Sequence, residues 1–227
     1  RRDAGAAGMI VAVTAGKGGV GKSTVTLNLA AALDAVAVDA DLSMADLPTG
    51  RGPDLHDVLA GRADPLEAVH EGGPVDVLPC GRSLAGARAT DPDALADALD
   101  RVDRRYGSVV VDCPAGLRSD AGVPLLAADC CVLVTRATPP ALADAMRARE
   151  LARAVETPLV SVVVNRSALE ATDHIADAFG APVLALPESA RLARAQCAGT
   201  PLETLDSAAA TVETFDRLAN AVHSVRS

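Results

Sequence analysis

Residues Val11 to Thr24 read V-A-V-T-A-G-K-G-G-V-G-K-S-T, and the rest of the chain makes sense as support for them. Met9–Thr14 is an apolar, β-branched run of strand length, and Ser23–Leu33 has helical character, so the glycines fall on a strand-to-helix turn. Gly16, Gly21, Lys22 and Ser23 satisfy the spacing G-x-x-x-x-G-K-[ST] of a phosphate-binding loop. Glycines let the backbone curl until successive N–H groups point inward at an anion, and the helix N-terminus adds its positive dipole end. Lys22 has the reach for the β and γ phosphates, and the Ser23 hydroxyl is a ligand for Mg²⁺. The whole loop from Gly16 to Thr24, with Gly18, Gly19 and Val20 contributing backbone, is expected to bind nucleotide.

Lys17 follows the first glycine, where a phosphate loop requires no cation. Lys17 and Lys22 are moreover the only lysines, the other 19 of the 21 basic residues being arginine. Lysine is kept only where a compact ammonium would meet phosphate as a point charge.

At 227 residues with 49% hydrophobic composition, the chain suits one α/β domain. Aromatics are limited to Tyr106, Phe179 and Phe215, so burial relies on Val, Leu and Ala. The net charge of −9, with arginine in place of lysine, is the pattern of an acidic surface kept soluble at high salt, as in salt-loving or high-GC microbes. It argues against a broad basic footprint for nucleic acid. Five cysteines without C-x-x-C spacing argue against a disulfide framework or zinc site and for buried thiols in a reducing cytoplasm. Residues 1–8 are small and polar with no apolar run after them, and no run reaches 18 apolar residues. These residues are expected to be a flexible extension of an unsecreted protein, with 9–227 a single phosphate-loop domain.

Seven strand-like runs are expected at Met9–Thr14, Val36–Asp39, Val75–Pro79, Ser108–Asp112, Cys130–Thr135, Leu159–Asn165 and Pro182–Leu186. Helical segments separate them: Ser23–Leu33, Asp54–Leu59, Pro65–His70, Pro92–Asp103, Ala121–Ala127, Pro139–Ala154, Thr172–Phe179 and Glu188–Ala198, with a last one at Ala208–Ser224. The alternation predicts a three-layer α/β fold, a mostly parallel sheet with helices on both faces. Ligands of such sheets bind beyond the carboxyl ends of the strands. There lie Asp39 and Asp41, then Asp112 after Val109-Val110-Val111, then Asn165-Arg166 and Pro187-Glu188. An apolar strand ending on Asp112 suits a carboxylate near Mg²⁺ and its waters. Asp39 suits the metal's water shell, Asp41 the orientation of an attacking water, and the Asn165 amide a base edge, while turn capping is the plain alternative for the acids.

K-G-G-V-G-K-S-T with its extra Lys17, D-A-D-L-S-M-A-D-L, L-H-D-V-L-A-G, V-V-V-D-C-P-A-G-L, V-V-V-N-R and L-P-E-S, in that order, resemble the MinD/ParA family of deviant Walker A P-loop ATPases, above all its archaeal MinD-type branch. The resemblance runs from Met9 to about Leu218. It implies an ATP hydrolase, slow and stimulated by a partner, in which ATP and Mg²⁺ are sandwiched between two identical subunits. Lys17 would cross to the partner's nucleotide, Lys22 and Ser23 would hold phosphate and Mg²⁺, Asp41 would position water, and Asp112 would complete the metal shell. Asn165, Arg166, Pro187 and Glu188 would meet the adenosine. Two departures stand out: Asp46 replaces the usual Asn after Asp41, and the short link from Leu33 to Val36 predicts an early end to the first helix.

The implied role is spatial positioning of cellular components, at a division site or for polar cargo, through an activator or cargo adaptor. Alternatives of other classes are a ParA-like DNA-partitioning ATPase, supported by local arginine clusters such as Arg147, Arg149 and Arg153, and the nucleotide module of a metabolic relative. Val212, Phe215, Leu218 and Val222 recur at near-helical spacing, and the expectation is that they pack on the sheet rather than on lipid. Any membrane role of this cytoplasmic protein would then run through a partner.

Overall fold

A computed structural model describes residues 8–42, 45–81, 91, 93–116, 121–167, 172–202 and 210–226. Among the described residues seven strands form one sheet: β1 (Ile10–Thr14), β2 (Val36–Asp39), β3 (Val77–Leu78), β4 (Val109–Asp112), β5 (Cys130–Thr135), β6 (Leu159–Asn165) and β7 (Val183–Leu186). All pairs are parallel, in the order β3-β2-β4-β1-β5-β6-β7. The continuous Val-rich runs follow from this, because a parallel strand covered on both faces has no solvent side to keep polar. Every residue of β1, β2 and β4 is buried.

The connecting helices are α1 (Lys22–Leu33), α2 (Leu55–Leu59), α3 (Ala94–Tyr106), α4 (Gly122–Leu126), α5 (Pro139–Ala154), α6 (Asp173–Phe179), α7 (Ala190–Ala198) and α8 (Ala210–His223). Alternate β1 residues divide the core. Val11 and Val13 pack with Val25 and Leu29 of α1 and with Phe215 and Leu218 of α8, while Ile10 faces Leu55 of α2 and Leu99 of α3. Ala141, Ala145, Ala148 and Ala152 of α5 are all buried, a small-residue stripe that lets this helix lie close to the sheet.

Four expectations are corrected. Pro65–His70 is a turn rather than a helix: the Asp64 carboxylate accepts from the Leu66 N–H at 2.9 Å, and His70 leaves to bridge Val77. The strand expected over Val75–Pro79 shrinks to Val77–Leu78, since this edge strand pairs with β2 only at Ala37 and Val38. Helix α1 does not end early; it reaches Leu33 because Asp34 takes a left-handed conformation (φ 51°) and its N–H returns to Ala30 and Ala31. Helix α3 runs three residues past Asp103 to Tyr106, whose hydroxyl donates to Glu71 at 2.7 Å. The extension at 1–8 lies, but for Gly8, outside the described residues.

Phe215, Leu218 and Val222 are buried in the sheet's core, with Val212 packed against them, as expected. No helix among the described residues is long and apolar enough to cross a membrane. Phe215→Ala is expected to destabilise the fold by about 3–5 kcal/mol, read as a lower urea midpoint at unchanged slope. An unmoved midpoint would mean the stripe is not core.

Candidate nucleotide site

The carboxyl ends of β1, β2, β4, β6 and β7 carry the polar residues, and the turn after β1 is the loop from Gly16 to Gly21. Gly16 cannot be larger: a Cβ there would stand 2.1 Å from the backbone of Asp144, because α5 approaches that closely. Gly21 lies at φ 105°, a conformation L side chains avoid, and a Cβ on it would strike the Asn165 amide nitrogen at 2.1 Å. That same nitrogen donates to the Val20 carbonyl at 2.7 Å, so the end of β6 fixes the loop from outside.

Lys22 opens α1 and points its Nζ at Asp112 Oδ1, 2.6 Å away, with the two side chains 6% and 0% exposed. The Thr26 hydroxyl donates to the same oxygen at 3.1 Å. Burial works against the ammonium, but Asp112 outweighs it and holds the Lys22 pKa above the usual lysine value. Burial pushes Asp112 up, opposed by Lys22. Its other oxygen, Oδ2, is buried with no hydrogen-bond partner among the described residues, and so is the Thr24 hydroxyl. Buried polar atoms left in this way call for water, an ion or a ligand to complete them.

Asp39 is fully buried beside Asp112, its register partner on the neighbouring strand. Its Oδ1 accepts from the Asp41 N–H at 3.2 Å, and its Oδ2 from those of Asp46 and Leu47 at 2.8 and 3.0 Å. These bonds make Asp39 the residue that ties down the loop that carries Asp41. Burial, with the charge of Asp112, raises the Asp39 pKa to about 7.

Two cavities join along the loop. Lys17, Gly18, Gly19, Lys22, Ser23, Asp46 and Ala115 line one of about 170 Å³. Thr24, Asn165, Pro187, Glu188, Ser189 and Leu192 line the other, of about 300 Å³, and Gly21, Arg166 and Gln196 border both. Asp41 is buried and lines neither. The first cavity offers cations and loop backbone, the second an amide and an apolar wall, which is the division between the phosphates and base of a nucleotide. No group of three His, Cys, Asp or Glu side chains among the described residues could hold a metal. The hard-oxygen pair of Ser23 and Asp112 Oδ2 instead suits Mg²⁺, which keeps most of its ligands as water and phosphate.

Thr26, which bonds Asp112, and Gln196, which lines both cavities, are residues of the candidate site that the sequence did not reveal. Thr26 was within reach, being one helical turn after Lys22 and hence on its face. Gln196 carries no motif and reaches the cleft only through the path of α7.

Residues 11–202 match the family described as the CobQ/CobB/MinD/ParA nucleotide binding domain. The chain is 33% identical over 208 residues to an uncharacterized ATP-binding protein of Methanocaldococcus jannaschii, covering 85% of this chain and 79% of that one. It superposes on the cell division ATPase MinD of Pyrococcus furiosus with a TM-score of 0.87 at 29% identity, over 96% of this chain and 99% of that chain. The septum site-determining protein MinD of Pyrococcus horikoshii, solved in complex with Mg-ADP, gives 0.86 at 28% identity, over 96% and 97%.

An unfolded aspartate titrates near pH 4, about three units below Asp39 in the fold. The native state therefore binds this proton more tightly, so the group stabilises the fold at pH 4 and loses that contribution as pH rises to about 7. Asp39→Asn, which cannot ionise, is expected to remove roughly 3 kcal/mol of the fall in unfolding free energy between pH 5 and 8. Urea denaturation across that range measures it, and a variant as pH-dependent as the wild type would assign the fall to other groups.

Proposed function

We propose that this chain, which belongs to the CobQ/CobB/MinD/ParA nucleotide-binding family, is an Mg-ATP-dependent ATPase switch whose nucleotide state controls the pairing of two copies and, through it, the placement of other cellular components. The observation that carries this reading is the Lys22–Asp112 contact at the mouth of the phosphate loop, with Asp112 Oδ2 buried and unpartnered among the described residues. The loop N–H groups and Lys22 bind the phosphates of ATP. Ser23 and Asp112 hold Mg²⁺, which when bound withdraws charge from the phosphate oxygens. Asp41 orients a water on the γ-phosphorus. Its attack breaks the bond to the β–γ bridging oxygen, and the charge that develops is met by Lys22.

Lys17 is half-buried at the phosphate end of the cleft, and we assign it to the nucleotide of a second copy, so that hydrolysis waits on pairing. Asn165 has spent one amide hydrogen on Val20 and keeps its oxygen for the base, alongside Arg166, Pro187, Glu188 and Gln196. The arginine cluster that favours the DNA-partitioning alternative is interleaved with acidic and carbonyl partners. Arg147 pairs with Asp144 at 2.7 Å, Arg149 donates to the Phe179 carbonyl at 2.6 Å, and Arg153 lies 4.0 Å from Glu150. The apolar stripe of α8 is buried and gives this helix no lipid-facing side, and we assign contact with a cellular surface to a protein partner.

Lys22→Ala is expected to weaken ATP binding about 100-fold by calorimetry, the scale of a lost charge-assisted contact. Lys17→Ala should bind ATP within a few-fold of wild type yet fail in both ATP-driven pairing, by light scattering, and turnover. A Lys17→Ala protein that still pairs on ATP removes the assignment in trans. For Asp41→Ala the expectation is unchanged Mg-ATP affinity with kcat down about 100-fold; hydrolysis at the wild-type rate takes Asp41 out of the mechanism.

A further inference from the structure

The segment that carries Asp41 is held on its amide side by Asp39, and the opposite, carbonyl side is held by a histidine. His56, the second residue of α2, is 3% exposed and sets its Nε2 3.1 Å from the carbonyl oxygen of Leu42. Cys80 Sγ lies 3.3 Å from the same nitrogen. A neutral imidazole carries one N–H, and a hydrogen on Nδ1 would leave two lone pairs facing each other between Nε2 and Leu42, so the hydrogen belongs on Nε2. Nδ1 is buried and without a partner among the described residues.

The ring has little room to leave this position. A Cβ on Gly81 would lie 2.3 Å from Nδ1 and 2.8 Å from Asp54 Oδ2, so the Gly81 backbone closes that edge of the imidazole. Helix α2 is pinned at its start by a reciprocal capping box between Asp54 and Asp57. The Arg62 guanidinium donates to the His56 carbonyl at 3.4 Å.

We infer that His56 is a positioning residue for ATP hydrolysis: its Nε2–H, locked against Gly81 and Cys80, fixes the Leu42 carbonyl and with it the backbone that aims Asp41. The inference rests on the ATPase reading for its catalytic half, while its structural half, the anchoring of the loop, does not. Misplacing a catalytic group by about 1 Å lowers turnover about 100-fold without a matching effect on binding.

Two amides test it. His56→Gln carries its side-chain nitrogen to the neighbourhood of Nε2, whereas His56→Asn stops near Nδ1. Expected for His56→Asn are kcat lowered about 10- to 100-fold, KM and ATP affinity within about twofold, and faster amide exchange over residues 40–47 in the nucleotide-free protein. His56→Gln is expected to recover both kcat and exchange protection. His56→Leu, which keeps the volume and no donor, serves where His56→Asn does not fold. A donor-less variant with wild-type exchange, or with loosened exchange and full kcat, overturns the inference. A wild type that binds ATP but never hydrolyses it sinks the ATPase reading instead, and exchange over residues 40–47 then decides alone on His56.

Discussion

The contact on which the rest depends is the buried pair of Lys22 and Asp112. Lys22 stands at the first position of α1, where the helix dipole is positive and a cation is disfavoured, and it is almost wholly removed from water. Asp112 is the main group that offsets that charge, with a smaller contribution from Asp46. A buried pair of this kind gives little net stability but is costly to break. Its geometry is therefore strict: β4 must sit between β2 and β1 so that Asp112 ends level with Val13 and Asp39, and α1 must start where the loop delivers Lys22. The positive end of the helix, a lysine and a curled backbone then face one cleft, an arrangement that favours anions before any base contact is made.

Close approach is the second constraint. The four buried alanines of α5 bring its backbone against Gly16, and Asn165 closes on Gly21 from β6. The loop is thus shaped from two sides by elements more than a hundred residues away in sequence. Its glycines answer those neighbours as much as the phosphate they curl around.

This also separates what was legible in the residues from what was not. The loop, the strand ends and the acids at the rim are written in local patterns, because a parallel sheet needs apolar runs and puts whatever follows them on one edge. The anchoring of the Asp41 loop by Asp39 was hidden, since an acid at a strand end shows in sequence no sign of the three amide hydrogens it accepts. His56 sits in a short amphipathic segment, and its meeting with Leu42 is decided by tertiary packing. The missed turn at Pro65–His70 has a local cause, the Asp64 side chain competing for a backbone N–H, but periodicity alone does not register it.

The scarcity of aromatic groups reaches beyond packing. The chain holds no tryptophan, and its one tyrosine, Tyr106, closes α3 just before β4 begins, at the edge of the sheet opposite the cleft. Phe179 and Phe215 contribute almost nothing to emission in the near ultraviolet. The cleft, the Asp41 segment and α7 are consequently dark against an almost empty optical background. An indole placed anywhere along that rim would be the sole fluorophore of its kind in the molecule, and its signal would belong to that neighbourhood alone.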